Sequence, residues 1–315
     1  MNTSTTQAKN TVAETITKRF IDAIISTGTL PWQKPWKSVA MRNATTRRPY
    51  HGVNVIMLAL FGRDTDYITF NQAKERGGMV RKGSKGLPVI YCKMMDKKDK
   101  TTGAPIMHNG KPAKFPMLRY STVFNLSDID GCDALKAKCA TSTKQIDFTP
   151  IEACERLASD LSAPVTHGGG RACYIPAIHV INMPERDTFN SAEAYYCTLF
   201  HEIGHSMSRD NNEDISTGFG SEPYAKEELV AELFANFCLS YAGIDSSLLF
   251  NNSLAYLQNW QKRLSDDSGL LISAASKASA RFNLLLKRAG LLEDEPETTE
   301  ENAEEIVEES ATVAA

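Results

Sequence analysis

The chain has 315 residues, 42% hydrophobic and 23% charged, with 35 Lys+Arg against 38 Asp+Glu. That length suits two domains of roughly 100–200 residues each, and the apolar fraction is enough for packed cores, which excludes a wholly disordered chain. No apolar run nears the roughly 18 residues of a membrane span, and the polar opening lacks a signal-peptide core. Seven cysteines without a C-x-x-C pair argue against a disulfide framework or a Cys-rich zinc module, so the expectation is a soluble, cytoplasmic protein with no membrane partner. Charge is segregated: residues 1–130 carry 21 Lys+Arg and 9 Asp+Glu (+12), and the remainder 14 and 29 (−15). A basic half of this kind suits a polyanion.

After a polar leader over 1–10, apolar residues at helical spacing (Ile16, Phe20, Ile21, Ile24, Ile25) predict a helix over 12–26, closed by Gly28 and the prolines Pro31 and Pro35. A second helix is expected over 52–60, a strand over 66–70, a short helix over 71–77 and a strand over 87–93. Residues 96–114 are polar and turn-rich and read as a loop or hairpin tip, and strand character resumes over 117–126. Residues 131–149 read as a linker. Beyond it, helices are predicted over 151–161, 191–207, 225–241, 253–264 and 270–289, with one strand over 177–183. The tail 293–315 holds ten acidic residues and no Lys, Arg or aromatic, the composition of a disordered segment. The fold class is therefore α+β with two domains: a mixed α/β domain over 11–130 and a mainly helical domain with a small sheet over 150–292.

The strongest local signal is His201-Glu202-Ile203-Gly204-His205 within a predicted helix. Residues i and i+4 share a helix face, so both imidazoles reach one metal ion, with Glu202 beside them to take a proton from water. The next helix carries Glu227, Glu228 and Glu232 beside an apolar stripe of Leu229, Val230, Leu233 and Phe234. Carboxylates in such a place are costly unless paired or coordinating. Glu228 is assigned as third ligand, with Glu227 the alternative that spacing alone leaves open. Glu232 is assigned as an outer carboxylate that orients a ligand histidine. Zinc is the expected ion, with Mn or Co able to use the same donors. Tyr224, Tyr196 and His179 are candidates to stabilise an oxyanion.

Three clusters mark the basic half. Trp32, Lys34 and Trp36 alternate in a proline-flanked run; Arg47 and Arg48 adjoin Tyr50; and Arg81, Lys82 and Lys85 sit in a Gly-rich turn. Cations neutralise phosphates and aromatics stack on open bases, a combination that suits single strands better than duplex.

These residues resemble a known family. PWQKPW, RNATTRRPYHGVN, YITFNQAKERGGMVRKGSKG and VFNLSDIDG are similar to the N-terminal single-stranded-DNA-binding domain of plasmid ArdC-type antirestriction proteins, shared with TraC-type primases. INMPERDTF, AYYCTLFHEIGHSMSR, YAKEELVAELFANF and YLQNWQKRLSDD resemble the zincin-like metallopeptidase domain of polyvalent mobile-element proteins. The resemblance covers roughly residues 10–290. It implies a bacterial plasmid protein that binds single-stranded DNA and protects it from host restriction during conjugation, with a zinc peptidase centre at His201, Glu202, His205 and a Glu of EELVAE. A restriction component or another protein would be the peptidase substrate. The alternative is a non-catalytic protein that masks DNA and carries a structural metal.

Overall fold

The computed structural model describes residues 11–28, 30, 41–62, 65–99, 102–108, 111–141, 150–211, 222–245 and 254–292. Within them the chain forms α1 (Val12–Thr27), β1 (Arg42–Asn43), α2 (Val53–Phe61), β2 (Asp66–Thr69), α3 (Phe70–Glu75), β3 (Met79–Val80), β4 (Leu87–Asp96), β5 (Met107–His108), β6 (Lys111–Pro112), β7 (Lys114–Asn125), β8 (Ile129–Asp130) and α4 (Asp133–Thr141). It continues with α5 (Pro150–Leu157), β9 (Val165–His167), β10 (Cys173–Ile175), β11 (Val180–Met183), α6 (Ala192–Asp210), α7 (Glu222–Ala242), α8 (Leu254–Asp266) and α9 (Leu270–Arg288). This is a two-domain α+β architecture, as expected.

Local chemistry explains the element ends. α1 begins with a reciprocal capping box: the Glu14 N–H donates to Thr11 Oγ1 while the Thr11 N–H donates to the Glu14 carboxylate. It ends at Gly28, whose φ of +64° is the left-handed conformation that glycine adopts without strain. α3 repeats the device with Thr69 and Gln72. Ile16, Phe20 and Ile24, spaced by four, bury one face of α1.

The first domain is built on a sheet of order β1-β2-β7-β4, with β1 and β2 parallel and the other pairs antiparallel. β4 lies at the sheet edge. There the Asn54 amide both donates to the Ile90 carbonyl and accepts from the Ile90 N–H, each at 2.7 Å, standing in for a neighbouring strand. The second domain has a three-stranded sheet, β10-β11-β9, against which α6 packs.

A single large core joins α1, α2 and the root of the β4–β7 hairpin to the helices of the second domain. α1 also meets the α8–α9 turn, where Thr17 Oγ1 donates to the Ser268 carbonyl at 2.7 Å. A smaller cluster of Ala44, Ile68, Ala73, Leu126, Ile129 and Cys139 lies across β2, α3 and α4.

Differences from expectation have local causes. α4 forms inside the segment read as a linker, and Cys139 on it is buried in the smaller cluster; its composition is polar because the helix covers a surface. β9 and β10 have only three residues each, too short to show alternation. The strand expected from 177 begins at Val180, because the preceding turn holds His179 at a φ of +53°. The 96–114 segment contains the small β5–β6 hairpin. Among the described residues no helix is long and apolar enough to cross a membrane.

Candidate metal centre

α6 starts at Ser191, whose hydroxyl accepts from the Ala194 N–H. Tyr195, Leu199, Phe200, Ile203 and Met207 then bury the face that meets the core. Gly204 sets how closely α7 approaches. A Cβ at this position would lie 3.1 Å from the Ala231 Cα and 3.1 Å from the Phe234 ring, so the two backbones cross where only glycine fits comfortably. Glu228 stands one turn before Ala231, and the crossing brings it to the two imidazoles.

The donor atoms converge. His201 Nε2 and His205 Nε2 are 3.1 Å apart, and the Glu228 oxygens lie 3.5 Å from the first and 3.6 Å from the second. One donor atom from each of the three residues falls within a 4.8 Å span. Two nitrogens at metal-bond distance from a tetrahedral ion are separated by about 3.3 Å. The spacing and the borderline donor set therefore fit a divalent cation. Burial disfavours a charged His201, yet its hydrogen bond to Glu228 and the charges of Glu202, Glu228 and Glu232 outweigh that, leaving its pKa raised. Such an acid-rich pocket favours a cation.

The neighbouring glutamate has a different task. Glu227 Oε1 lies 3.3 Å from His205 Nδ1, the ring nitrogen turned away from the cluster. A carboxylate partner requires Nδ1 to carry the proton, which leaves the Nε2 lone pair for an ion. Glu227 is in turn gripped by Arg281 of α9, whose side chain is fully buried: Nη1 and Nη2 donate to its two oxygens at 2.6 and 2.9 Å, and Nη1 also donates to the Gly204 carbonyl at 2.8 Å. Burial would raise the Glu227 pKa, but His205 and Arg281 together hold it below the usual carboxylate range. The role that the sequence reading gave to Glu232 is thus filled by Glu227 at His205. Glu232, buried one turn further along α7, acts through its charge on His201 and on the Cys197 thiol, which burial and this carboxylate push up to about 12.

Glu202 is nearly buried, and its Oε2 accepts the Tyr174 backbone N–H at 2.7 Å. Edge strand β10 therefore fixes the carboxylate beside the cluster. Of the oxyanion candidates, Tyr196 is buried and donates to Glu155, which also holds Arg186. His179 meets the Tyr174 hydroxyl through Nδ1 at 2.9 Å and Ser162 through Nε2 at 3.3 Å. The Tyr224 side chain lies outside the described residues.

The basic half rearranges expectation more. Trp32, Lys34 and Trp36 lie outside the described residues. Arg47 turns inward, pairing with Asp66 at 2.5 Å and Cys139 Sγ at 2.7 Å. Tyr50 packs edge-on against Tyr67 beside the core, and burial raises its hydroxyl pKa to about 12. Both residues are half-buried and engaged within the domain. Arg81 is exposed but paired with Asp130 at 3.1 Å, whereas Lys82 and Lys85 are exposed.

Arg281 and the Tyr174 N–H were missed from the sequence. Arg281 had a signal: it continues the buried stripe Ala274, Ala278, Leu285, where an arginine needs a buried acid. A backbone N–H has no residue-type signature.

Comparison with known proteins agrees with this anatomy. Residues 152–277 match a zincin-like metallopeptidase family, and residues 10–124 match the N-terminal domain of anti-restriction factor ArdC. The fold and site thus define a zincin-like domain joined to an ArdC N-terminal domain, and the chain belongs to the ArdC family. The metal-free crystal structure of the antirestriction protein ArdC from plasmid R388 is 31% identical, with a TM-score of 0.70, covering 90% of this chain and all of that one. Its Mn(II)-bound structure matches at 29% identity and a TM-score of 0.65, again over 90% of this chain and all of that one. An Escherichia coli DNA primase TraC is 34% identical over 298 residues, which is 89% of this chain but 20% of the primase. The uncharacterized protein y4eC of Sinorhizobium fredii is 30% identical over 288 residues, covering 87% of this chain and 91% of that protein.

Proposed function

We propose that this chain is an antirestriction protein of mobile DNA, which binds single-stranded DNA through its basic domain and hydrolyses a peptide bond at a zinc centre in the other. The observation that carries the hydrolytic part is the convergence of His201, His205 and Glu228 beside a Glu202 held by a backbone N–H. His201, His205 and Glu228 would hold the ion, and a zinc bound there would supply Lewis acidity to lower the pKa of a water and polarise a carbonyl. The chain's own part is positional. His205 is kept in the correct tautomer by Glu227 and Arg281. Glu202, with Oε2 occupied by the Tyr174 N–H, offers Oε1 to take the proton from water and return it to the leaving amine. The existence of both metal-free and Mn(II)-bound structures of the R388 relative supports an exchangeable ion rather than one needed to fold.

Single-stranded DNA as partner rests on the +12 charge of residues 1–130, on the match to the ArdC N-terminal domain, and on the primase relatives, of which this chain spans 20% and 27% of the length. The domain limits proposed are 11–130 and 150–292, with 131–149 between them. Protection of a restriction-sensitive plasmid on entry into a restricting host tests the reading. Glu202→Ala should retain metal while losing both peptide hydrolysis and protection; full protection by this variant would show that catalysis is not the mechanism.

A further inference from the structure

The β4–β7 hairpin is the longest strand pairing of the molecule among the described residues, ten paired positions from Leu87↔Val123 to Asp96↔Lys114, or about 33 Å. Its root is fixed: Leu87, Val89 and Val123 are buried in the large core. From Tyr91 outward the ribbon leaves that core. Residues 87–125 hold seven Lys+Arg and two Asp, a balance of +5. Arg47 and Arg81 of the expected clusters each have a carboxylate partner. No carboxylate lies within ion-pair distance of Lys93, Lys97, Lys98, Lys114 or Arg119 among the described residues.

Register sorts these side chains by face, because directly opposed residues share one. Three successive layers, Tyr91↔Arg119, Lys93↔Met117 and Met95↔Phe115, form one strip in which rings, cations and thioethers alternate. Phe115 is 39% exposed, and Arg119 is exposed. The opposite face carries Tyr120, 56% exposed, but its strand positions from Ile90 to Met94 bear no cation. Unpaired cations beside partly exposed rings on a rigid ribbon are what a single strand needs: charge for phosphates and planes for bases.

We infer that the face of the hairpin bearing Tyr91, Lys93, Phe115 and Arg119 is a binding track for single-stranded nucleic acid. The inference rests on the DNA-binding reading above and assigns it to residues outside the three expected clusters. The sheet root holds the strip in place before the ligand arrives, so little ordering entropy is lost on binding.

The test is a fluorescence-anisotropy titration of the full chain with labelled oligothymidylate over a series of salt concentrations. Lys93→Gln/Arg119→Gln should weaken binding and flatten the log–log salt slope by about 1.4, at about 0.7 per lost phosphate contact. Phe115→Ala should weaken binding roughly 5- to 150-fold without changing the slope, and Phe115→Tyr, which keeps the ring, should restore it. Tyr120→Ala, on the other face, should stay within about twofold of the parent. If Lys82→Gln/Lys85→Gln abolishes binding while the Lys93, Arg119 and Phe115 variants bind normally, the hairpin inference fails and the DNA-binding reading stands. Loss from Tyr120→Ala equal to that from Phe115→Ala overturns the face assignment, as does a preference for duplex over single strand. If the unmodified chain binds no strand at all, both readings fall.

Discussion

Replacing Arg281 by methionine removes a guanidinium that is fully buried and donates two hydrogen bonds to Glu227, at 2.6 and 2.9 Å. Methionine fills similar volume, so the change is mainly electrostatic. What remains is a Glu227 carboxylate, 11% exposed, that still faces His205 Nδ1. Breaking a buried pair from one side costs about 3–5 kcal/mol. At roughly 2–4 °C per kcal/mol, melting should fall by about 6–20 °C. Urea denaturation must be run in excess chelator, because metal binding to the native state would mask part of the loss. Arg281→Met/Glu227→Gln removes both charges and leaves an amide oxygen to accept from His205 Nδ1. It should recover roughly 1–3 kcal/mol relative to the sum of the single changes. pH gives a second readout. Because Glu227 is held below the ordinary carboxylate pKa, its stabilisation is fully present above the unfolded value of about 4.3 and is lost as pH falls through the lower folded value. Arg281→Met should therefore flatten the acid limb of the stability curve. A single variant within 1 kcal/mol of the parent, or strictly additive double-variant energies, would refute the reasoning.

Three further expectations can be checked with similar means. Gly204→Ala gains about 1 kcal/mol of helix propensity but drives a methyl against the Ala231 backbone, for a net loss of roughly 0–2 kcal/mol; calorimetric metal titration should show weaker binding as α7 carries Glu228 away, and a more stable variant with parental affinity would contradict the close-crossing argument. Arg47→Gln should lower stability by about 2–4 kcal/mol, because Asp66 loses its buried partner, while leaving the salt slope of DNA binding unchanged; a flatter slope would mean that Arg47 reaches phosphate after all. Deleting 293–315 removes ten carboxylates and should tighten single-strand binding at low salt, whereas unchanged affinity would leave the tail a solubilising segment.

Most helices were legible because their apolar residues recur over three or more turns, as in α1, α6 and α9. The metal cluster was legible for a related reason: His201 and His205 share a helix, so their separation is set by the helix itself. Choosing between Glu227 and Glu228 was not possible, since adjacent residues differ by about 100° around α7 and only the crossing at Gly204 decides which one faces the imidazoles. Arg47 and Tyr50 read as ligand-binding because composition does not distinguish an exposed cation from one folded onto a remote acid; Asp66 lies 19 positions away. The hairpin strip escaped notice because its facing members, such as Tyr91 and Arg119, lie far apart in the chain and become neighbours only through register.

The continuous core shared by the two domains has a consequence for how such a chain can be inherited. Because α1 packs on α8 and α2 on α9 within one shared core, parting the halves would expose apolar surface that is now covered. Recombination that severed the halves would yield sticky, unstable fragments, so the pair is expected to move between larger proteins as one cassette. The primase alignment, 298 residues long and covering 89% of this chain within a fifth of a much longer one, has the form that such co-inheritance would leave.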